Sequence, residues 1–259
     1  MKYKTKLLVD RFASILSRWP GVECVSLNEA ALPDTLDPYF ALILDVYYRD
    51  SIPGPDERQR LFGEDLEIFE TSGSGSKDRF LIGDIPVRLE YKLIRRMEEL
   101  IGIADTRVES LWLIREKGTY GFYRLTQGEI VFSRSNWIKD IRVRLAALGD
   151  EFWHNMRNAC ESKMEHFLSD LGAALMQEDD FFYLVSSVGF IKYACLTLFC
   201  INRRFEPSHR AYYKQVLELK ELPESFRACF ESFLRIDPEI TRERQFSLAQ
   251  LMARGIIAL

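Results

Sequence analysis

Some residues of this chain have types and spacings that chemistry can use. In Ser72-Gly73-Ser74-Gly75-Ser76-Lys77-Asp78-Arg79, a Gly/Ser run leads into two cations, and Lys77 and Arg79 would be the side chains to touch a triphosphate. The run lacks the Gly-x-x-x-x-Gly-Lys-Ser/Thr spacing of a P-loop, and as a plain surface connection it needs no function. The plain connection is the favoured reading. Arg204 and His209 stand five apart. His209 has the chemistry of a general acid/base and Arg204 that of a phosphorane-stabilising cation. Pro207 lies between them, however, and cations after a long helix are what the helix dipole favours.

Other groups have ordinary explanations. His154 and His166 are twelve apart, which is not the i, i+4 spacing of a metal-binding pair. The five cysteines, Cys24, Cys160, Cys195, Cys200 and Cys229, form no Cys-x-x-Cys pair and read as reduced, buried thiols. Glu178-Asp179-Asp180 reads as a solvated turn and N-cap before an apolar helix. Tyr47, Tyr48, Tyr91 and Trp112 have the shape to stack on a base, but aromatics on strands and helices are more often core.

The elements that position these residues follow from periodicity. Leu8, Phe12, Ile15, Leu16 and Trp19 share one helical face over residues 4–19, closed by Pro20-Gly21. Val22 to Leu27 and Phe40 to Tyr48 read as strands. Pro55 to Phe62 reads as a short helix with Pro55 and Asp56 in its first turn. Leu66 to Phe69, Phe80 to Ile82 and Ile85 to Tyr91 read as further strands. After Lys92 the helical period takes over, with helices expected over 92–102, 105–116, 136–148, 150–177, 179–203, 208–220, 223–235 and 239–257. A break near residues 118–133 contains a candidate strand. Strands first and helices afterwards predict an α+β fold: a mixed-sheet domain over 1–125 and an all-α bundle over 126–259.

The chain has 259 residues, with 35 Lys+Arg against 39 Asp+Glu and a net charge of −4. That balance lacks the basic footprint of a nucleic-acid binder. The stretch behind the basic N-terminus carries Asp10, Arg11 and Arg18, which is no signal-peptide core, so the cytoplasm is the expected compartment. Residues 181–201 are long enough to cross a bilayer, but their serines and Lys192 favour a buried bundle helix and no membrane partner.

The order helix, strand, acidic loop, Asp-bearing strand and later carboxylate-bearing strand resembles the nucleotidyltransferase superfamily. The run Leu198-Phe199-Cys200-Ile201-Asn202-Arg203-Arg204-Phe205-Glu206-Pro207-Ser208-His209-Arg210 is similar to the Leu-Asn-x-x-x-x-Pro-x-x-Lys/Arg signature in the helical domain of its small-molecule members. Such enzymes place Gly-Ser ahead of an Asp-x-Asp strand, with a third carboxylate on a neighbouring strand, and use Mg²⁺ to align a nucleoside triphosphate.

The match here is partial. Asn28 stands near the Gly-Ser position without the glycine, Asp45 takes the second aspartate, and Ile43 replaces the first. Glu90 is the third carboxylate, and Asp37 (or Asp34) in the acidic loop is a supplementary metal ligand. The resemblance thus implies Asp45 and Glu90 as catalytic and metal-binding residues, with Asn28, Lys77 and Arg79 on the nucleotide. Mg²⁺ would be the cofactor, and a small-molecule or protein hydroxyl would accept the NMP group. The missing acid leaves a second expectation open: a module of the same fold that binds a nucleotide or a protein without transferring anything.

Overall fold

The computed structural model describes residues 3–28, 42–235 and 240–259; Asp34 and Asp37 lie outside them. The fold is α+β. In chain order the helices and strands are α1 (Tyr3–Ser17), β1 (Val22–Leu27), β2 (Leu42–Tyr48), α2 (Pro55–Phe62), β3 (Glu67–Thr71), β4 (Lys77–Ile82), β5 (Ile85–Leu93), α3 (Ile94–Thr106), α4 (Trp112–Lys117), α5 (Tyr120–Gln127), β6 (Glu129–Ser133), α6 (Trp137–Ala146), α7 (Asp150–Met176), α8 (Asp180–Ile201), α9 (Tyr212–Leu217), α10 (Phe226–Leu234) and α11 (Arg242–Ile257). Short 3₁₀ turns at Val108–Ser110 and His209–Ala211 replace the starts of two expected helices.

The chain divides into two compact units. One comprises Met1–Arg107 and Gly121–Ala147, the other Val108–Tyr120 and Leu148–Leu259. The boundary expected after residue 125 falls inside α5. The reason for the later division is β6, which pairs antiparallel with β1 and draws the chain through Ala147 into the sheet-bearing unit.

In that unit the described strands form a sheet of order β3-β4-β5-β2-β1-β6. Only β2 and β5 run parallel; the other neighbours are antiparallel, so the sheet is mixed. Strand alternation sends Leu42, Leu44 and Val46 of β2 to one face with Val87, Leu89 and Tyr91 of β5. There they pack on Val9, Phe12 and Leu16 of α1 and Phe62 of α2. Phe12, Phe62 and Phe80 lie with ring centroids 5.4–5.6 Å apart. Gly83 (φ 54) and Asp84 make the two-residue turn between β4 and β5, where positive φ matches the strand twist.

The apolar face holds a buried carboxylate, Asp78, at 0% exposure. Arg58 of α2 grips it at 2.8 and 2.9 Å, while Tyr91 Oη and Thr71 Oγ1 donate to it at 2.6 and 2.8 Å. Arg58 also donates to the carbonyls of Pro53 and Gly75. The Gly/Ser run is therefore a hairpin connection fastened to the core by a buried ion pair. Lys77 and Arg79 belong to β4 rather than to the loop.

The second unit is helical. Phe190, Leu198 and Phe199 of α8 pack with Met164 and Leu171 of α7, Phe226 and Phe230 of α10, and Leu248, Met252 and Ile256 of α11. By length and composition α8 is apolar enough to cross a membrane, and its C-terminal half supplies the core of this bundle.

Candidate functional site

The opposite sheet face mixes buried Cys24, Ile43 and Tyr47 with a cluster of charged residues. Asp45 and Glu90 are direct partners in the parallel β2–β5 ladder, so their side chains emerge side by side. Ser26 of β1 lies across from Asp45, and Lys77 of β4 across from Glu90. Within β5, the pattern Arg88-x-Glu90-x-Lys92 puts two more cations on this face. Asp45 is fully buried and Glu90 nearly so.

Arg124 of α5 decides the character of the site. It is 4% exposed. Its Nη2 lies 2.5 Å from Asp45 Oδ1, and its Nη1 lies 2.6 Å from Glu90 Oε2. Lys92 Nζ stands 2.9 Å from the other oxygen of Asp45 and 3.9 Å from Glu90 Oε2. Arg88 Nε is 3.1 Å from Glu90 Oε1. Tyr47 Oη donates to Asp45 Oδ2 at 3.3 Å. Two adjacent buried carboxylates would repel each other strongly; a guanidinium across both, with an ammonium behind, offsets that repulsion and the loss of water.

The ionisation of these groups follows. Burial alone would raise the Glu90 carboxyl, but Arg124, Lys92, Arg88 and Lys77 outweigh it and hold its pKa below the ordinary 4.5. Burial also lowers Lys92 below its ordinary 10.5, with Asp45 and Glu90 opposing that and Arg124 adding to it. Burial, followed by the Asp45 charge, pushes the Tyr47 hydroxyl well above 10.

A hard divalent cation does not fit this arrangement. Mg²⁺ needs oxygen ligands in a near-octahedral shell. Here both oxygens of Asp45 and both of Glu90 face protein cations, and a metal placed between the two acids would sit against Arg124. Among the described residues no group of three or more His, Cys, Asp or Glu is placed to hold a metal. The remaining expected ligand, Asp37, lies outside them.

The residues expected on a nucleotide are distributed along the same face. Asn28 continues the β1 ladder through its N–H to Ile43 O, 3.1 Å away, and its side chain is buried at 6% exposure. Among the described residues its Nδ2 is a buried donor without a hydrogen-bond partner. Lys77 is half-buried beside Glu90. Arg79 is exposed, opposite Arg88 on one side and Glu70 on the other. Sequence reasoning missed Arg124, Lys92 and Arg88. The alternation in β5 marks the last two, whereas nothing near Asp45 or Glu90 marks Arg124.

In the helical unit, the signature around Asn202 has a structural basis. Asn202 Nδ2 donates to the carbonyls of Leu198 and Glu221, and its Oδ1 accepts from Glu221 N–H, all at 2.8–2.9 Å. Arg203, in the left-handed region at φ 51, ends α8 and pairs with Asp150 at 2.8 Å. His209 is exposed and faces Glu206 at 3.6 Å; Glu206 also accepts from Tyr212 Oη at 2.5 Å. All five cysteines are free and buried.

No protein-family model and no curated protein matches the chain. Among solved structures it is similar to a nucleotidyltransferase-like protein from Exiguobacterium sibiricum 255-15. The identity is 14%, the match covers 98% of this chain and 73% of that one, and the TM-score is 0.48. Similarity at that level says nothing about chemistry.

Proposed function

We propose that this chain is a nucleotidyltransferase-like module that binds a nucleoside triphosphate without Mg²⁺ and does not transfer its NMP group. The observation that carries the reading is Arg124 lying across Asp45 and Glu90 at 2.5 and 2.6 Å. In a transferring enzyme, carboxylates at such positions neutralise metals that in turn bind phosphate. Here they neutralise the protein's own cations, and no catalytic step can be routed through them while Arg124 stays in place.

The face as a whole carries an excess of cations. Lys77, Arg79, Arg88, Lys92 and Arg124 outnumber Asp45, Glu90, Glu67 and Glu70 there, even with Arg124 and Lys92 paired to the two buried acids. The Asn28 amide, which has no partner among the described residues, adds a neutral donor. Cations and N–H groups suit phosphate oxygens directly. A nucleotide is the polyphosphate to test first, because the run Ile201-Asn202-Arg203-Arg204-Phe205-Glu206-Pro207 resembles the helical-domain signature of small-molecule nucleotidyltransferases.

Thermal denaturation with each of the four NTPs, in excess Mg²⁺ and in EDTA, tests the proposal. The expected result is a rise in Tm with at least one NTP that is as large in EDTA as in Mg²⁺, because a ligand bound only by the native state stabilises it. Lys77→Glu with Arg79→Glu should remove that rise. A shift that requires Mg²⁺, or NMP incorporation into any acceptor that Asp45→Asn abolishes, would overturn it.

A further inference from the structure

We propose that α8 carries a homodimer interface, on which a second copy of this chain lays its own α8 antiparallel to the first. The C-terminal half of α8 is spent on the core of the helical unit, but its N-terminal half is open on one side. Phe181 is 77% exposed, Leu184 61%, Val185 45% and Val188 63%. Steps of three and four residues put them on a single stripe, while Tyr183, Ser186 and Phe190 on the other side are buried.

The size of the stripe points to a protein partner. These residues leave on the order of 500 Å² open, as much as the largest patch on a typical monomer, and each partner of a stable complex buries about 800 Å². The charged rim makes up the difference.

Charge selects the partner and its direction. The stripe begins beside exposed Glu178 and Asp179 and ends, one turn after Val188, at exposed Lys192. Two parallel copies would set acid on acid and Lys192 on Lys192. An antiparallel pair centred between Leu184 and Val185 seats Phe181 on Val188 of the second copy and brings Lys192 to Glu178 of the second copy. The same patch serves on both sides, as a twofold interface requires. A lipid surface fits less well, because anionic headgroups repel the acidic end and the stripe has Lys192 at its tip rather than a cationic flank.

Sedimentation equilibrium on the full chain tests this. Wild-type protein should sediment at twice the 30.3 kDa chain mass at micromolar concentration, and Leu184→Glu should sediment as a monomer with an unchanged circular dichroism spectrum, since Leu184 is on the surface. Lys192→Glu and Glu178→Lys should each weaken the dimer about threefold or more, and the two together should restore it. A monomeric wild type, a dimer that survives Leu184→Glu, or a double charge reversal weaker than either single one would overturn the proposal. So would flotation of a monomeric wild type with phosphatidylcholine/phosphatidylglycerol vesicles that Leu184→Glu abolishes, which would assign the stripe to lipid.

Discussion

Arg124 holds together two acids that ladder pairing forces side by side. Removing it leaves Asp45 and Glu90 buried without the one guanidinium that bridges both, although Lys92, Arg88 and Lys77 stay nearby. Loss of one partner from a buried ion network costs about 3–5 kcal/mol, so urea denaturation of Arg124→Ala should show a loss of that order. Arg58→Ala should cost a similar amount for the same reason, since it strands Asp78 at 0% exposure. Glu90 adds a pH signature. Its folded pKa is depressed below 4.5, so the stability it contributes is present above that value and is lost as pH falls through the folded pKa. The stability difference between wild type and Glu90→Gln should therefore hold steady above about pH 5.5 and shrink under acid below 4.5. Asp45 and Glu90 could be singled out in the sequence because the resemblance puts carboxylates at those positions of two strands. Their neutralisation could not, because Arg124 lies 79 residues from Asp45 and an arginine in isolation carries no mark of its partner.

At the scale of elements, the strands and most helices were legible. α2 begins at Pro55 and ends at Phe62, where proline at the first turn and a following glycine place it. The long helices of the second unit, α7, α8 and α11, lie within three residues of their expected bounds. What escaped was α5, and with it the site's decisive residue. Its sequence, Tyr-Gly-Phe-Tyr-Arg-Leu-Thr-Gln, is rich in aromatics with β-propensity and contains a glycine, so local preference argues against a helix that tertiary packing nevertheless forms. Gly128 makes the turn from α5 to β6 possible. A Cβ there would stand 2.9 Å from Arg124 O and 3.1 Å from Ser26 Oγ. Gly128→Ala should force Arg124's backbone to move and lower Tm by several degrees, corresponding to about 1–3 kcal/mol from overpacking. Asn202→Ala should cost a comparable ~1–3 kcal/mol, because the Glu221 backbone groups lose their partner.

For the whole molecule, the α+β class was readable from strands preceding helices, but the division between units was not. The chain leaves the sheet-bearing unit at Arg107, returns at Gly121 and leaves again after Ala147. A non-local strand pairing, β1 with β6 across more than a hundred residues, produces that crossing, and pairing partners at such separation have no local signal. The same holds for the chemistry: the family resemblance implies metal-dependent transfer, and a long-range ion bridge that the sequence does not signal argues against a metal between the two acids. Mn²⁺ titration followed by electron paramagnetic resonance tests that bridge most directly, because free Mn²⁺ gives a strong signal that binding broadens. The account predicts that millimolar protein leaves the Mn²⁺ signal unchanged by Asp45→Asn or Glu90→Gln. A stoichiometric Mn²⁺ site that either substitution removes would contradict it.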